Sequence, residues 1–483
     1  MEWGKIKMSK YRKLAIRLLC VGATGLWGAT VQSADAIESA AGSPELTLER
    51  AVEIALTRNR SLAIATLGTH SASIAVETAE SAFSLSAGPE LSVNAVDGRR
   101  GATTLGLNAS KRFVTGTEVS SRVVHEDSEI SDSGERVIVE ISQPLFRFAG
   151  RLVNQEPIVQ AESELMRARR RLESQKQDLV VEVAREYENI LRLEQQLRAD
   201  QQAYQRSETL FNSTKAKEAL GRATRIDTLR VDLQRGQALS RLESDRERLE
   251  SSRRAFAELL GFGTHARFDL APTTPLIVEV PSLDEVARVA FDNRLDYAQA
   301  LQDTTDARRG VRIARRGLWP DLSLVARYEH VTDPPTTGLT DDERWFLGLR
   351  ADTDFNQTAE RNNLRQARIE ARSSEQFIDL LELSITRELQ QRILAYRRAA
   401  ADLKIRERNL RHARARLDLA QRLFEIGRGD NFTVTDAEDA FVQAQSQRLA
   451  GKSDASLTAY ELLRSMGTLA DTPEELKPGR LLQ

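Results

Sequence analysis

The sequence has little of what compact, cross-linked or helical membrane proteins need. Its 483 residues include one cysteine, 12 prolines and only 5% aromatic side chains. The single cysteine, Cys20, excludes a disulfide framework within the chain and a thiolate metal site. Proline removes a backbone N–H and clashes with the preceding helical turn, so its scarcity favours long uninterrupted helices.

An excess of one charge and long apolar runs are also missing. The chain has 69 Lys and Arg against 71 Asp and Glu, which gives a net charge of -2. This balance argues against a nucleic-acid partner, which would select a basic surface. A bundle of membrane-spanning helices would need several runs of about 20 apolar residues. Opposite charges instead alternate along most of the chain, as they do on solvated helix faces.

Residues 1–36 have the organisation of a cleaved signal peptide. A basic stretch ends at Arg17, an apolar stretch follows from Leu18 to Val31, and small residues follow at Ala34-Asp35-Ala36. A retained helical anchor is the alternative, but the apolar stretch is short for a membrane span. Because Leu19 rather than a small residue precedes Cys20, lipid attachment is not expected. We predict cleavage near Ala36 and export of a mature chain without cysteine.

Beyond residue 36 the chain repeats itself. The segment LERAVEIAL at 48–56 matches LDEVARVAF at 283–291, and Pro89-Glu90-Leu91 matches Pro320-Asp321-Leu322. Because the matching segments follow one another in the same order, a gene duplication is the simplest account. The predicted organisation is a first repeat at 37–270, a second repeat at 271–470 and a C-terminal tail at 471–483.

Each repeat contains a long segment with an apolar residue at every seventh position. Seven-residue spacing is typical of helices packed side by side as a coiled coil. Glycines at 221 and 427 mark chain reversals, and Thr224 and Asp430 stand where they can cap the returning helices. We therefore predict long helical hairpins at 155–261 and 358–467. The periodic residues are Val183, Ile190, Leu197, Tyr204 and Phe211 in the first repeat and Tyr396, Leu403, Leu410, Leu417 and Phe424 in the second.

Apolar and polar residues alternate in the middle of each repeat, which predicts β-strands. The second repeat offers a β-hairpin at about 320–352, bracketed by Trp319 and Trp345, where an interfacial aromatic girdle would lie. The first repeat offers two or four strands at about 90–143. A soluble sandwich would also show this alternation. However, four to six strands cannot close a membrane barrel of about eight, so the strands are expected to pair with other subunits.

In these features the chain resembles the TolC family of outer membrane efflux proteins. The resemblance rests on the duplicated helix starts, the two Pro-x-Leu strand openings, Ser142-Gln143-Pro144-Leu145-Phe146 and the matching lengths of the returning helices. It implies a mainly α fold with a small β part. Three subunits would form one α-helical barrel across the periplasm and one 12-stranded outer-membrane β-barrel. Arg60 and Leu295 stand where the family often has proline, which leaves only the helix starts there in question.

The resemblance also implies a periplasmic gate at the helix turns. Asp227 lies where the family has a gate aspartate, and Asp436 lies where it has an aspartate that faces the channel axis. Rings of like charge at a constriction would filter cations. The alternative is that such acids only stabilise the helix dipole. The other candidates are the ion-pair partners Arg222, Arg225 and Arg428 and the adaptor-docking residues Gly221, Gly427, Gly429 and Asp430.

We find no catalytic motif, and the five histidines lack metal-ligand spacing, so no enzyme, metal or cofactor is expected. The predicted function is a passive, porin-like exit duct of a tripartite efflux pump or type I secretion system. Its expected partners are a second and third copy of the chain, a periplasmic adaptor, an inner-membrane pump of RND, ABC or MFS type, and outer-membrane lipid. A periplasmic adaptor or another coiled-coil scaffold is the alternative.

Overall fold

The computed structural model describes residues 45–96, 99–128, 134–264, 266–273, 282–332, 341–352, 356–426, 428–429 and 431–478. The predicted signal peptide, Gly427 and Asp430 lie outside these residues. The chain divides into two compact units. One holds residues 171–295, 382–483 and the part up to Thr66, and the other holds 67–170 and 296–381.

Helices dominate the described chain, and strands form one small part of it, as the sequence predicts. Two helices are very long because no proline interrupts them after the first turn. Among the helices of the described part, none combines enough length with enough apolar residues for a membrane crossing. The helices are α1 Leu48–Arg58, α2 Arg60–Ser81, α3 Arg151–Asn154, α4 Glu156–Ala219, α5 Arg225–Leu259, α6 Leu283–Asn293, α7 Leu295–Arg316, α8 Thr358–Glu425 and α9 Asn431–Ser465.

Each long helix packs against the helix that follows it in the opposite direction. In the first pair, Arg253 of α5 donates to Glu194 of α4 over 2.9 Å, and Arg235 of α5 stacks on Phe211 of α4 at 4.3 Å. Later residues of α4 thus contact earlier residues of α5. In the second pair, Arg406 of α8 donates to the Gln447 carbonyl of α9 over 2.8 Å. Both pairs are antiparallel helical hairpins.

The seven-residue spacing places its apolar side chains inside these helix contacts. Val183 and Ile190 of α4 are buried, as are Tyr396 and Leu417 of α8. The remaining members of both series are partly buried. Removing an apolar side chain of this size from water contributes about 1.5–3 kcal/mol. The two spacing patterns therefore mark the packed sides of the long helices.

The main apolar core surrounds Tyr187 of α4. Its ring is buried and meets Phe256 of α5 edge-on, with 6.2 Å between ring centroids. Its hydroxyl lies 2.7 Å from the carbonyl oxygens of both Leu46 and Ala271, and it can donate its one proton to either. Residues 46 and 270 pair as a parallel β-bridge. The start of the first repeat is thereby held to the segment that follows α5.

The returning helices end against the junctions between the short helices. Asn59, between α1 and α2, donates to the Leu259 carbonyl of α5 over 2.9 Å. At the equivalent place in the second repeat, Arg294 donates to the Ser465 carbonyl of α9 over 3.1 Å. Helices α2 and α7 begin at Arg60 and Leu295, so both helix starts that the family resemblance left in question are formed.

The strands form a single antiparallel sheet in which they follow one another in chain order. Four strands come from the first repeat, so the larger of the two expected numbers is correct. The sheet is open, with β1 and β6 as its edges. Its strands are β1 Leu85–Val96, β2 Arg99–Arg112, β3 Glu118–Ser128, β4 Gly134–Pro144, β5 Leu322–Thr332 and β6 Asp341–Ala351.

Replacing Gly261 by alanine tests the contact between α5 and the α1 end. Gly261 has a φ of 81°, and a Cβ atom there would lie 2.3 Å from the Arg58 carbonyl oxygen. Gly221 is the matched control, since its φ is 72° but nothing lies within 4 Å of its Cβ position. We expect Gly221→Ala to cost about 1 kcal/mol and Gly261→Ala about 3 kcal/mol in unfolding free energy, measured by chemical denaturation. Equal losses would contradict the close helix contact.

Candidate functional site

The first helix turn, residues 220–224, joins α4 to α5 and is built by backbone hydrogen bonds. The Gly221 N–H donates to the Glu218 carbonyl over 2.9 Å, and the Arg222 N–H donates to the Lys217 carbonyl over 2.8 Å. This pair of bonds satisfies the last carbonyls of α4 and needs a left-handed residue, which glycine supplies without a Cβ clash. Arg225 then lies 3.7 Å from Glu218 across the turn.

Asp227 closes the turn as part of a capping box. The Thr224 hydroxyl accepts from the Asp227 N–H, and the Asp227 carboxylate accepts from the Thr224 N–H over 3.0 Å. The Thr224 hydroxyl also donates to this carboxylate over 2.6 Å. These bonds from Thr224 hold the pKa of Asp227 below its ordinary value, and Arg230 adds to the effect. Thr224 is the N-cap predicted from the sequence, and Asp227 is engaged in stabilising the start of α5.

The second helix turn, residues 426–430, joins α8 to α9, and two of its four candidate residues, Gly427 and Asp430, lie outside the described part of the chain. The N–H groups of Arg428 and Gly429 both donate to the Leu423 carbonyl over 2.9 Å. Asp436, in the second turn of α9, forms an ion pair with Arg416 of α8. Both side chains are about half exposed. Asp436 is thus held by a contact between helices, whereas Asp227 is held within its own turn.

Cationic side chains near both turns cover the last aromatic residue of each seven-residue series. Arg235 lies over Phe211 at 4.3 Å, and Lys217 lies over Phe424 with its ammonium group 3.4 Å from the ring centroid. A cation over an aromatic face contributes about 0.5–1 kcal/mol at an exposed site. The sequence did not predict these two cations, because each lies on a neighbouring helix and neither belongs to a seven-residue series.

The first and second repeats are joined by an ion pair near the turns. Arg206 of α4 donates to Glu438 of α9 over 2.6 Å, and Glu438 is buried. Burial raises the pKa of Glu438, while the charge of Arg206 works against that rise. A salt bridge in such a place is costly to break, because the remaining charge stays out of water.

Asp200 of α4 and Asp245 of α5 form a buried carboxyl pair. Both side chains are buried, and Gln196 donates to Asp200 while Arg248 donates to Asp245 over 3.0 Å. Burial, followed by the hydrogen bond with Asp245, raises the pKa of Asp200 to about 6. Burial disfavours the charged form of a carboxyl group, and a second carboxyl beside it adds to that effect. Sequence reasoning missed this pair as well, since neither aspartate falls in the apolar series.

The sheet has two chemically different faces. Residues directly opposite each other in the register share a face, so Leu91, Leu105 and Leu107 lie on the same side as Trp345 and Leu347. Many side chains of this apolar face are exposed, among them Leu91 at 70%, Leu107 at 64% and Leu347 at 74%. The further exposed members are Leu85, Val93, Val123, Ile141, Leu324 and Leu349.

The opposite, polar face is crossed by ion pairs between strands. Arg122 of β3 donates to Glu90 of β1 over 2.9 Å and so reaches across β2. The other pairs on this face are Arg112–Glu118 at 3.4 Å, Arg136–Glu329 at 3.8 Å and Arg350–Glu140 at 3.4 Å. The apolar residues on this side include Val124, Ile138, Val325, Val331 and Phe346. The sheet therefore presents one face suited to lipid and one suited to water.

An apolar stripe on α5 is also exposed. Ile226, Leu229 and Leu233 follow one another at helical spacing, each more than half exposed. Beside them runs an open groove of about 550 Å³, lined by Leu229, Asp232, Leu233, Gly236, Gln237 and Ser240. The residues of this stripe are three and four positions apart, which is the spacing of a coiled-coil contact. Within the single chain, this side of α5 is exposed to solvent.

Known proteins match this chain in part of its sequence and in its fold. The sequence model of the outer membrane efflux protein family matches residues 286–468. No curated protein sequence matches the chain.

Among solved structures, the outer-membrane channel OprN is similar at a TM-score of 0.68 and 17% identity, covering 87% of this chain and 90% of OprN. The outer membrane protein VceC from Vibrio cholerae gives 0.66 and 16%, covering 87% of this chain and 96% of VceC. The MtrE outer membrane channel of Neisseria gonorrhoeae, solved in its open state, gives 0.66 and 16%, covering 88% of this chain and 89% of MtrE. At these identities the likeness establishes the fold.

Replacing Asp200 by asparagine tests the buried carboxyl pair. The pKa of Asp200 is about 6 in the folded chain against 3.8 unfolded, so the folded state holds its proton more tightly. The free energy of unfolding should therefore fall as the pH rises from about 4 to above 6, by an amount on the order of 2 kcal/mol. The asparagine amide mimics the protonated acid and should remove that fall, which unfolding midpoints at pH 4 and pH 7.5 would show. Asp232→Asn, at a half-exposed acid on α5, is the control and should leave the fall intact.

Proposed function

We propose that this chain, whose residues 286–468 match the model of the outer membrane efflux protein family, forms a passive exit duct in the outer membrane. The observation that carries the proposal is the two-faced open sheet. Its apolar face exposes large side chains on every one of its strands. A contiguous apolar surface of this kind is unfavourable in water and is suited to lipid. The polar face, with its ion pairs, is suited to a water-filled lumen.

Copies of the same chain complete the sheet. The edge strands β1 and β6 have backbone N–H and C=O groups that need partners inside a membrane. Because the sheet has an even number of strands, β6 of one copy runs antiparallel to β1 of the next and keeps both faces continuous. The exposed stripe Ile226–Leu229–Leu233 gives the helices a second surface for the same association. A homotrimer fits both surfaces and the family resemblance.

The duct receives its cargo from partner proteins. By the family resemblance these are a periplasmic adaptor and an inner-membrane pump of RND, ABC or MFS type. The adaptor would dock at the helix turns around Gly221, Gly427, Gly429 and Asp430. Residues 1–36 would direct the chain to the periplasm and be removed, and the repeats 37–270 and 271–470 would supply equivalent halves of each subunit.

We propose that the duct opens at the helix turns. Asp436 is the stronger gate candidate, because its ion pair with Arg416 spans α8 and α9 and would change when those helices shift. Asp227 is bound within its own turn and contributes charge at a fixed place. Three copies of such acids around one axis would attract cations and repel anions. Arg222, Arg225 and Arg428 would offset that charge from the turns themselves.

Location and assembly test the proposed function directly. We expect the chain in the outer-membrane fraction, running as a trimer on an unboiled gel and as a monomer after boiling. The same preparation should form ion channels in planar bilayers, since the polar face needs no further partner to conduct water and ions. A soluble monomer, or a periplasmic protein without channel activity, would favour the adaptor or scaffold alternative and overturn the duct.

Two substitutions of opposite sign test the gate. Asp436→Asn removes a negative charge near the constriction, so block of the channel by a trivalent cation should weaken by about tenfold, which corresponds to about 1.4 kcal/mol. Arg416→Gln frees the Asp436 carboxylate and should strengthen that block. Single-channel recordings in planar bilayers would measure both, with Asp418→Asn, an exposed acid on α8, as the control. If Asp436→Asn behaves like the control, Asp436 is not at the gate.

A further inference from the structure

The sheet contains one β-hairpin more than the repeat pattern requires. In the second repeat, β5 begins at Leu322, directly after Pro320-Asp321, and β6 leads directly to the long helix α8. In the first repeat, β1 contains the matching Pro89-Glu90-Leu91, and β4 precedes the long helix α4. Strands β2 and β3 therefore lie between the two strands that have counterparts. They are an addition to the first repeat.

This added hairpin is part of the sheet and lies in its middle. Strand β2 pairs with β1 and β3 pairs with β4 along nearly their whole lengths. The ion pair between Arg122 and Glu90 joins β3 to β1 across β2 on the polar face. A hairpin that merely capped the sheet as a loop would have neither the two continuous ladders nor a bridge of this kind.

The added hairpin also continues the apolar face at the level of its neighbours. Leu105 stands opposite Leu91, and Leu107 stands opposite Val123, which in turn faces Val137. Leu105 and Leu107 are both more than half exposed. Strands of 14 and 11 residues are long enough to cross the hydrocarbon layer, which takes about 9–11 residues at a typical tilt.

We propose that all six strands of each subunit enter the membrane wall, so that the trimer closes an 18-stranded barrel, six strands from each of three subunits. The inference rests on the proposed function and departs from the 12 strands that the family resemblance implies. Barrel diameter grows roughly in proportion to strand number, so the bore is about one and a half times as wide. Barrels of 16–18 strands leave an open aqueous channel.

Nitroxide labels on single cysteines would test whether β2 faces lipid. The predicted mature chain has no cysteine of its own, since Cys20 lies in the signal peptide. Leu107→Cys would place a label on the apolar face of β2 and Asn108→Cys one on its polar face. Leu349→Cys and Arg350→Cys are the matched controls on β6. In lipid vesicles, the labels at 107 and 349 should collide with oxygen dissolved in lipid, and those at 108 and 350 with a water-soluble nickel chelate.

The outcomes separate this inference from the proposed function. If the label at 107 is as accessible to the nickel chelate as that at 108 while 349 stays in lipid, the hairpin lies outside the wall and the 18-stranded barrel is wrong. If 349 is also accessible only from water, the sheet is not in a membrane and the duct itself is wrong. A density map of the trimer in lipid nanodiscs gives a direct count. Eighteen strands would support the inference, and twelve would overturn it.

Discussion

One constraint governs this protein: a single chain cannot bury the apolar face of its own sheet. Large side chains on every strand of that face stand in solvent, and the edge strands β1 and β6 have no neighbour within the described part of the chain. The proposed association of copies of the sheet within lipid would meet both needs at once. The near-zero net charge of the whole chain is compatible with this proposal, because only the six strands would touch lipid while the long helices have alternating charges that suit water.

The long helices are subject to a second constraint. Where the chain reverses, the last carbonyl groups of a helix need hydrogen-bond donors. Glycines with positive φ at 221, 261 and 467 end three helices with the same pair of hydrogen bonds. At 221 the glycine faces open space, whereas at 261 it lets the end of α5 touch the Arg58 carbonyl. The same glycine hydrogen-bond pattern thus forms an exposed turn at Gly221 and a close contact between helices at Gly261.

Much of this arrangement was predictable from the sequence, because it depends on short-range patterns. The seven-residue series, the alternating second-repeat hairpin and the Thr224 cap all appear where the residues predicted them. The number of first-repeat strands was not predictable, since Lys111, Ser121 and His125 interrupt the apolar alternation of β2 and β3 and only the register restores it. The contacts between Arg416 and Asp436 and between Asp200 and Asp245 were also not predictable from the sequence, because each joins two different helices.

The buried side of α4 changes in chemical character toward the turn at Gly221. A second seven-residue series on this helix, Leu193, Asp200, Ser207 and Thr214, is buried throughout and becomes polar toward Gly221. Buried apolar area stabilises by about 25 cal/mol per Å², whereas a buried hydroxyl contributes little unless it is hydrogen-bonded. Within the described residues, the hydroxyls of Thr214 and of Thr228 in α5 have no such partner. The buried side of α4 is therefore apolar around Tyr187 and polar near the turn, so the apolar contribution to helix packing decreases toward the end where we propose the gate.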